Sequence, residues 1–594
     1  MKNKLLAGKK LEWVEFLFFA AAYLVISAFH EPWFDEAQAW QIAKCASLRE
    51  ILFEIPHYEG HPPLWHLILA IPAKLGVPFE IGLKTVGFLF SAASAYLILF
   101  RMPYPRLMRL LIPFSYFIFY QYGVIVRPYG LMLLVFLLLA LAFPKKDIRP
   151  WRFVGLLMLL CLTNAYGIVI AGGIAVCWVW ELVQEKKIGA FIKELFKDSR
   201  TQSLGALLVL ALLIMWTILP RSDTLITSRY PSNSVFLCLI CAFFTFIGEC
   251  TLTTSSWFSI DRVLLQRAVI STPELIVFCL IGIILWLLIL CVSSKRALKY
   301  LIVPYVLFAA FAAGVYFSVH HLGITLLFLL FWAGVIGQDE SRLELGEIVI
   351  KRLTKTEKDS VLIKRVAFMI FALCMLVPVY WSVRASVLEV GREYSYGRSG
   401  ASFLREHELE NCLILSTWDE GGAIWNDDMD TESQPNTYSV PAPVLLNAYF
   451  DKNLCMNLNL GKKQEAYMHY QLADSITNAR NLLAWSAAGI PDVILGKAAL
   501  EQLYEGINYD NYTIVYALHL NYIWKTRVYS LRFPVFARND ILEQYGLNEL
   551  DDQRLKYLVE GLQITSEMRE AFENGVSVEE LLKPYLDAIL GEED

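Results

Sequence analysis

The sequence predicts an α-helical multi-pass membrane protein of about eleven spans, followed by a C-terminal α/β domain on the outer side. Three observations carry this. Hydrophobic residues make up 56% of the 594 positions and charged residues only 18%, against about 25% in a soluble domain, with a mean hydropathy of +0.46. Long apolar runs recur as far as residue 383 and then stop. Beyond 384, short β-like runs alternate with helical patterns. These features exclude a single soluble domain, a disordered chain and a secreted disulfide scaffold. A net charge of −5 with no basic excess excludes a nucleic-acid partner. Aromatic residues at 14% suit rings crowded at a membrane interface.

A span needs about 20 apolar residues. By that measure the spans fall near 11–30, 80–100, 107–122, 129–143, 152–166, 167–183, 204–220, 274–293, 300–319, 322–337 and 365–383. Residues 1–10 are basic, and no small-residue cleavage site follows, so the first run reads as a retained span. With the N-terminus inside, the inner segments hold 26 Lys and Arg against 8 in the outer loops 31–79, 123–128 and 221–273. The positive-inside rule then places the tail outside. The stretch 62–75 is too short to span and follows Pro62 and Pro63, which suit a helix start, so it reads as a helix in the outer interface. Parity makes 235–248 an interfacial or re-entrant piece.

The expected division is 1–383 for the membrane module, 384–546 for the α/β domain and 547–594 for an acidic helical tail with 13 acids against 4 basic residues. Strand-like runs lie at 412–418, 491–496 and 512–518, and helical patterns at 441–450, 471–488 and 497–505. Of eleven cysteines, seven sit in apolar runs as small hydrophobes. No CxxC pair stands near histidines.

The residues suited to chemistry gather in the outer loops. Asp35 and Glu36 follow the first span by about five residues, where charge beside hydrocarbon is costly. Two readings stand for Asp35: a capping box with Gln38, like that of Ser47 with Glu50, or a catalytic carboxylate. His57, Glu59 and His61 alternate, so an extended chain points all three one way. A divalent metal held with Asp35 or Glu36 is the minor alternative, since the spacing matches no zinc signature. Anion binding by His61, beside the helix start at Pro62, is the leading one. His57 and His66 otherwise read as interfacial histidines. Arg127, before Pro128 at membrane depth, demands a partner: Asp35, Glu36 or a phosphate. Tyr120, Tyr122 and Tyr129 suit an aromatic belt. His320 and His321 close a span outside, to meet a phosphate or to titrate in water. Asn164 and Tyr166, at an outer turn, are weaker candidates.

The order of Asp35-Glu36 after a first span, then His61-Pro62-Pro63-Leu64, then Arg127-Pro128-Tyr129, resembles the GT-C superfamily of membrane glycosyltransferases. The nearest pattern is the bacterial branch that includes protein O-mannosyltransferases and the lipid A aminoarabinose transferase. The likeness covers about 1–340. It implies a polyprenyl-phosphate-linked sugar as donor, an extracytoplasmic acceptor (cell-envelope glycan, lipid or protein) and a plasma-membrane location. It makes Asp35 the loop carboxylate that acts as base or positions the acceptor, Glu36 its support and His61 a neighbour of the donor phosphate. Glu59, Gln121, Arg127, Tyr129, His320 and His321 are the further substrate-binding candidates. No cofactor is called for, with a divalent metal kept as the minor alternative. Many members carry an acid in the second outer loop; here Gln121 stands there and no acid lies near Tyr120–Arg127. Either Asp35 works alone, or the activity differs or is lost. The competing classes are a transporter or flippase for lipid-linked sugars and a non-catalytic envelope assembly partner. Transporters place charge near the bilayer midplane and show repeats, whereas the acids here lie in outer loops.

Overall fold

The structure, a computed structural model, describes residues 2–186, 197–224, 235–254, 273–338, 357–416, 424–425, 442–455, 465–470, 489–496 and 509–551. The expected helices at 471–488 and 497–505, and all but the first residues of the acidic tail, lie outside these.

Helix α1 (Lys2–Phe29) leads into a helical outer loop made of α2 (Phe34–Cys45), α3 (Leu48–Phe53), α4 (Pro56–Glu59) and α5 (Leu64–Lys74). Then come α6 (Phe79–Phe100), α7 (Arg106–Leu111), a π-helix over Phe117–Val124, α8 (Tyr129–Ala142), α9 (Pro150–Cys161), α10 (Ala165–Lys186), α11 (Ser199–Ile218) and α12 (Val235–Glu249). The bundle closes with α13 (Pro273–Val292), α14 (Lys295–Gly314), α15 (Leu322–Gln338), α16 (Glu357–Cys374) and α17 (Leu376–Gly391).

Among the described residues, eight helical stretches are long and apolar enough to cross a membrane by length and composition alone, and they match eight of the eleven expected spans. Three expected spans differ for local reasons. The run 107–122 breaks at Pro113, which lacks the N–H a continuous helix needs, and resumes as the π-helix. Helix α8 continues through a 3-10 turn to Lys145 and α9 has 12 residues, so both expected spans are apolar helices shorter than the other eight. The turn between α9 and α10 is fixed by Asn164, whose Oδ1 accepts from the Gly167 N–H at 2.9 Å. Short helices stand at α5 and α12, where 62–75 and 235–248 were expected not to cross. The buried centre is the stretch Val319–Gln338, 94% of whose apolar window is inside the protein, against 17% for Lys10–Phe29 at the rim.

At the end of the bundle where α1 begins, Glu12 and Glu15 pair with Arg106, and Glu12 also with Arg109. Glu181 on α10 accepts from Lys146, Arg296, Lys299 and Tyr300 at 2.9–3.0 Å. The outer loop and the candidate site lie at the other end.

The boundary expected at 383 falls inside α17. Beyond it stand α18 (Gly397–Glu406), α19 (Ala442–Phe450) and a five-stranded mixed sheet of β1 (Ile414–Ser416), β2 (Ile424–Trp425), β3 (Val493–Leu495), β4 (Tyr512–Trp524) and β5 (Arg527–Arg538). Among the described strands, β1 and β3 pair in parallel and the other pairs are antiparallel. The run read at 512–518 continues to Trp524 and returns as β5, a strand hidden in the sequence by Pro534 and three arginines. Lys525, with φ +56°, makes the tight turn. That turn reaches into the bundle. The buried Lys525 ammonium donates to Glu249 Oε2 at 3.0 Å and to the carbonyls of Glu249 and Thr253 at 2.8 Å, with the Trp381 ring 4.2 Å away. Arg398, Lys84 and Tyr449 all meet Glu80, tying α18 and α19 to the start of α6.

Candidate active site

The chain leaves α1 extended and enters α2 at Phe34. The Glu36 carboxylate accepts the Trp33 N–H at 2.7 Å, so Glu36 caps this helix and Asp35 does not. Gln38 is not a partner of Asp35 either. Its amide exchanges two hydrogen bonds with the Met468 backbone, at 2.8 and 2.9 Å, and donates to Glu59 Oε1 at 2.8 Å. The box of Ser47 with Glu50 does form. Asp35, free of capping duty, turns to Arg127: Oδ2 lies 2.7 Å from the guanidinium, which sits 5.4 Å from the Tyr129 ring centroid. Of the three partners open to Arg127, the structure shows Asp35. Glu36 Oε1 accepts instead from the Val126 N–H at 2.6 Å.

The residues 57–61 are not extended. Pro56–Glu59 is one helical turn that ends at Gly60, whose φ of +66° reverses the chain before His61 and Pro62. His57 Nδ1 lies 2.8 Å from the Leu219 carbonyl. Among the described residues no group of three or more His, Cys, Asp or Glu is arranged to hold a metal.

One cavity of about 440 Å³ gathers Asp35, Glu59, His61, Arg127, Tyr129, His320 and His321, together with His57, Tyr166, Thr224 and Tyr470. Its remaining wall is apolar, with Ile168, Val169, Met215, Ile218, Leu219, Phe311 and Val315 from α10, α11, α14 and the residues just after them. Met215, Leu219 and Val315 on this wall are exposed, so the cavity is open along its apolar side. Two expected residues stay out of the cavity. Glu36 is buried behind it, and Gln121 is buried in the π-helix, accepting from the Tyr116 hydroxyl at 3.1 Å.

Burial, reinforced by the charge of Asp35, pushes the Glu59 carboxyl up to about 7 against the pull of the Gln38 bond. Burial and then the Arg127 charge push His61 down to about 4, so its ring is neutral at neutral pH. His61 Nδ1 and His320 Nε2 are buried and have no hydrogen-bond partner among the described residues. Buried polar atoms are normally satisfied, and two imidazole nitrogens left open beside a guanidinium suit an anionic guest. His321 Nδ1 accepts from the Ser318 N–H at 2.8 Å, which leaves the ring's other nitrogen as a donor. The Asp35 side chain, 38% exposed, stands at the mouth.

Sequence reasoning missed Thr224 and Tyr470, which arrive from the distant loop and from the tail; neither carries a local signal. It also passed over His30 and Glu389. His30 Nε2 lies 3.2 Å from Glu36 and Nδ1 lies 2.8 Å from Glu389, and all three are buried. Two charges immediately after an apolar run, His30 and Glu31, were the available hint.

No family model and no curated protein matches the chain. Among solved structures it is similar to ArnT from Cupriavidus metallidurans bound to undecaprenyl phosphate (12% identity, TM-score 0.43) and to the same protein in the apo state (13%, 0.45). Each alignment covers 88% of this chain and 98% of that one. It is also similar to the arabinofuranosyltransferase AftD from Mycobacteria, at 12% identity and a TM-score of 0.35, over 88% of this chain and 40% of that one.

Proposed function

We propose that the chain is a membrane glycosyltransferase that moves a sugar from a polyprenyl-phosphate donor to a hydroxyl of an extracytoplasmic acceptor, with the N-terminus cytoplasmic and the tail outside. The observation that carries this reading is the composition of one cavity. A guanidinium and open imidazole nitrogens can meet a phosphate, a carboxylate stands beside them, and the apolar, partly exposed wall suits a lipid tail.

In this reading the polyprenyl chain lies along the wall of Ile168, Ile218 and Phe311. The phosphate binds Arg127, His61 and His320. Arriving there, it competes with Asp35 for the guanidinium and frees the Asp35 carboxylate. Asp35 then takes the proton of the acceptor hydroxyl. The acceptor oxygen bonds to the anomeric carbon as the carbon–phosphate oxygen bond breaks. The electron pair leaves with the lipid phosphate, whose charge Arg127 and the imidazoles neutralise. Attack opposite the leaving group inverts the centre.

The test is binding of a polyprenyl phosphate to the purified protein in nanodiscs. Arg127→Ala and His61→Ala should each weaken it at least tenfold, with melting temperatures close to that of the parent. Unchanged affinity in both variants would remove the phosphate from this cavity.

A further inference from the structure

Behind the cavity lies a buried charged network that the proposed chemistry does not use. His30 follows α1 and stands between two carboxylates, Glu36 on α2 and Glu389 on α17, at 3.2 and 2.8 Å. The Tyr120 hydroxyl, from the π-helix, donates to the other Glu389 oxygen. Glu36 in turn accepts two backbone N–H groups, Trp33 at 2.7 Å and Val126 at 2.6 Å. Those two backbone segments carry Asp35 and Arg127, two residues and one residue further along. One carboxylate therefore fixes both halves of the ion pair at the cavity mouth, and His30 and Glu389 fix that carboxylate.

Four buried polar groups on four elements cost desolvation, and such networks are worthwhile only when their geometry is complete. Here each bond is made. A cap for α2 needs only the Trp33 bond, so stability of that helix does not account for His30, Glu389 or the Val126 bond. We infer that His30 and Glu389 are positioning residues, which act through Glu36 to hold Asp35 and Arg127 in register and so couple the tail-bearing helix α17 to the active site. This inference rests on the glycosyltransferase reading for its rate effect but not for its geometry. The coupling has a direct route: Tyr394, just beyond α17, packs on His30 at 4.9 Å between ring centroids, and Trp33 lies 5.4 Å from Tyr522 of β4.

The experiment is a double-mutant cycle in the full-length protein, read by transfer rate and by amide hydrogen exchange. Glu389→Ala should lower kcat about 10- to 100-fold, the scale of a misplacement near 1 Å, with a smaller change in KM. Exchange should rise at Trp33 and at Val126 while the remaining bundle is unchanged. In an Asp35→Asn background the same Glu389→Ala change should cost clearly less in rate, because one of the two groups it positions is already disabled and only the Arg127 share remains. His30→Gln, which keeps one donor, should recover part of what His30→Ala loses. Equal fold-losses for Glu389→Ala in both backgrounds, or unchanged exchange at Trp33 and Val126, would overturn the inference. A parent protein that transfers no sugar, yet shows the exchange pattern, would remove the glycosyltransferase reading and leave the joint standing.

Discussion

Glu181 and Asp35 stand at opposite ends of the bundle, and their surroundings differ in completeness. Glu181 has Lys146, Arg296, Lys299 and Tyr300 within 3.0 Å, so both oxygens are saturated by side chains from several elements. Asp35 pairs with Arg127, stands 38% exposed at the cavity mouth, and shares the cavity with imidazole nitrogens that have no partner among the described residues. The first arrangement closes helix ends against each other. The second leaves capacity for a guest. Both use charge at the rim of an apolar bundle, and the open bonds are at the end to which the proposed chemistry is assigned.

Substitutions at the two ends should therefore separate rate from stability. The largest effect is expected at Asp35. Asp35→Asn should lower transfer 10²- to 10⁴-fold and leave melting nearly unchanged, since Glu36 and not Asp35 caps α2. Wild-type turnover in that variant would put the base elsewhere, at Glu59 in the same cavity. Next is Lys525→Met, which strands the buried Glu249 charge. Removing one partner of such a pair typically costs about 3–5 kcal/mol, read as a lowered midpoint in detergent. Glu181→Gln should cost less, on the order of 1–3 kcal/mol, and should leave kcat as it was; a rate loss there would erase the distinction between the two ends. The smallest effect concerns pH. Glu59 is raised from 4.5 to about 7, so the folded state holds a proton that the unfolded chain has lost. Its contribution is full below pH 4.5 and disappears as pH rises through 7. Glu59→Gln should flatten that part of the stability profile, and an unchanged slope would assign it to other groups.

Much of the site was legible because its residues are the costly ones. Asp35, His61, Arg127 and His320 stand out as charge or imidazole at the edges of apolar runs, and the fold brings them together. The roles of neighbours were not legible. Asp35 and Glu36 are adjacent and chemically alike, and only the path of the chain from α1 to α2 decides which one turns inward to cap and which meets Arg127. The extended reading of 57–61 failed because a single helical turn before Gly60 replaces the alternation. The interruption within 107–122 was not legible because hydropathy does not register the hydrogen bond that Pro113 removes. Strand β5 was hidden by arginines and a proline on a chain segment that pairs on both sides. Glu389 had no local signal, since its partner His30 is 359 residues away.

The central claim is that one cavity performs sugar transfer from a lipid phosphate. The most direct measurement offers radiolabelled polyprenyl-phosphate sugars to purified protein in nanodiscs, with envelope extract as acceptor, and follows label leaving the lipid. The account predicts release with at least one sugar, abolished in Arg127→Ala, reduced at least a hundredfold in Asp35→Asn and unaltered in Glu181→Gln. Release that persists in both cavity variants, or that falls only with Glu181→Gln, would contradict it.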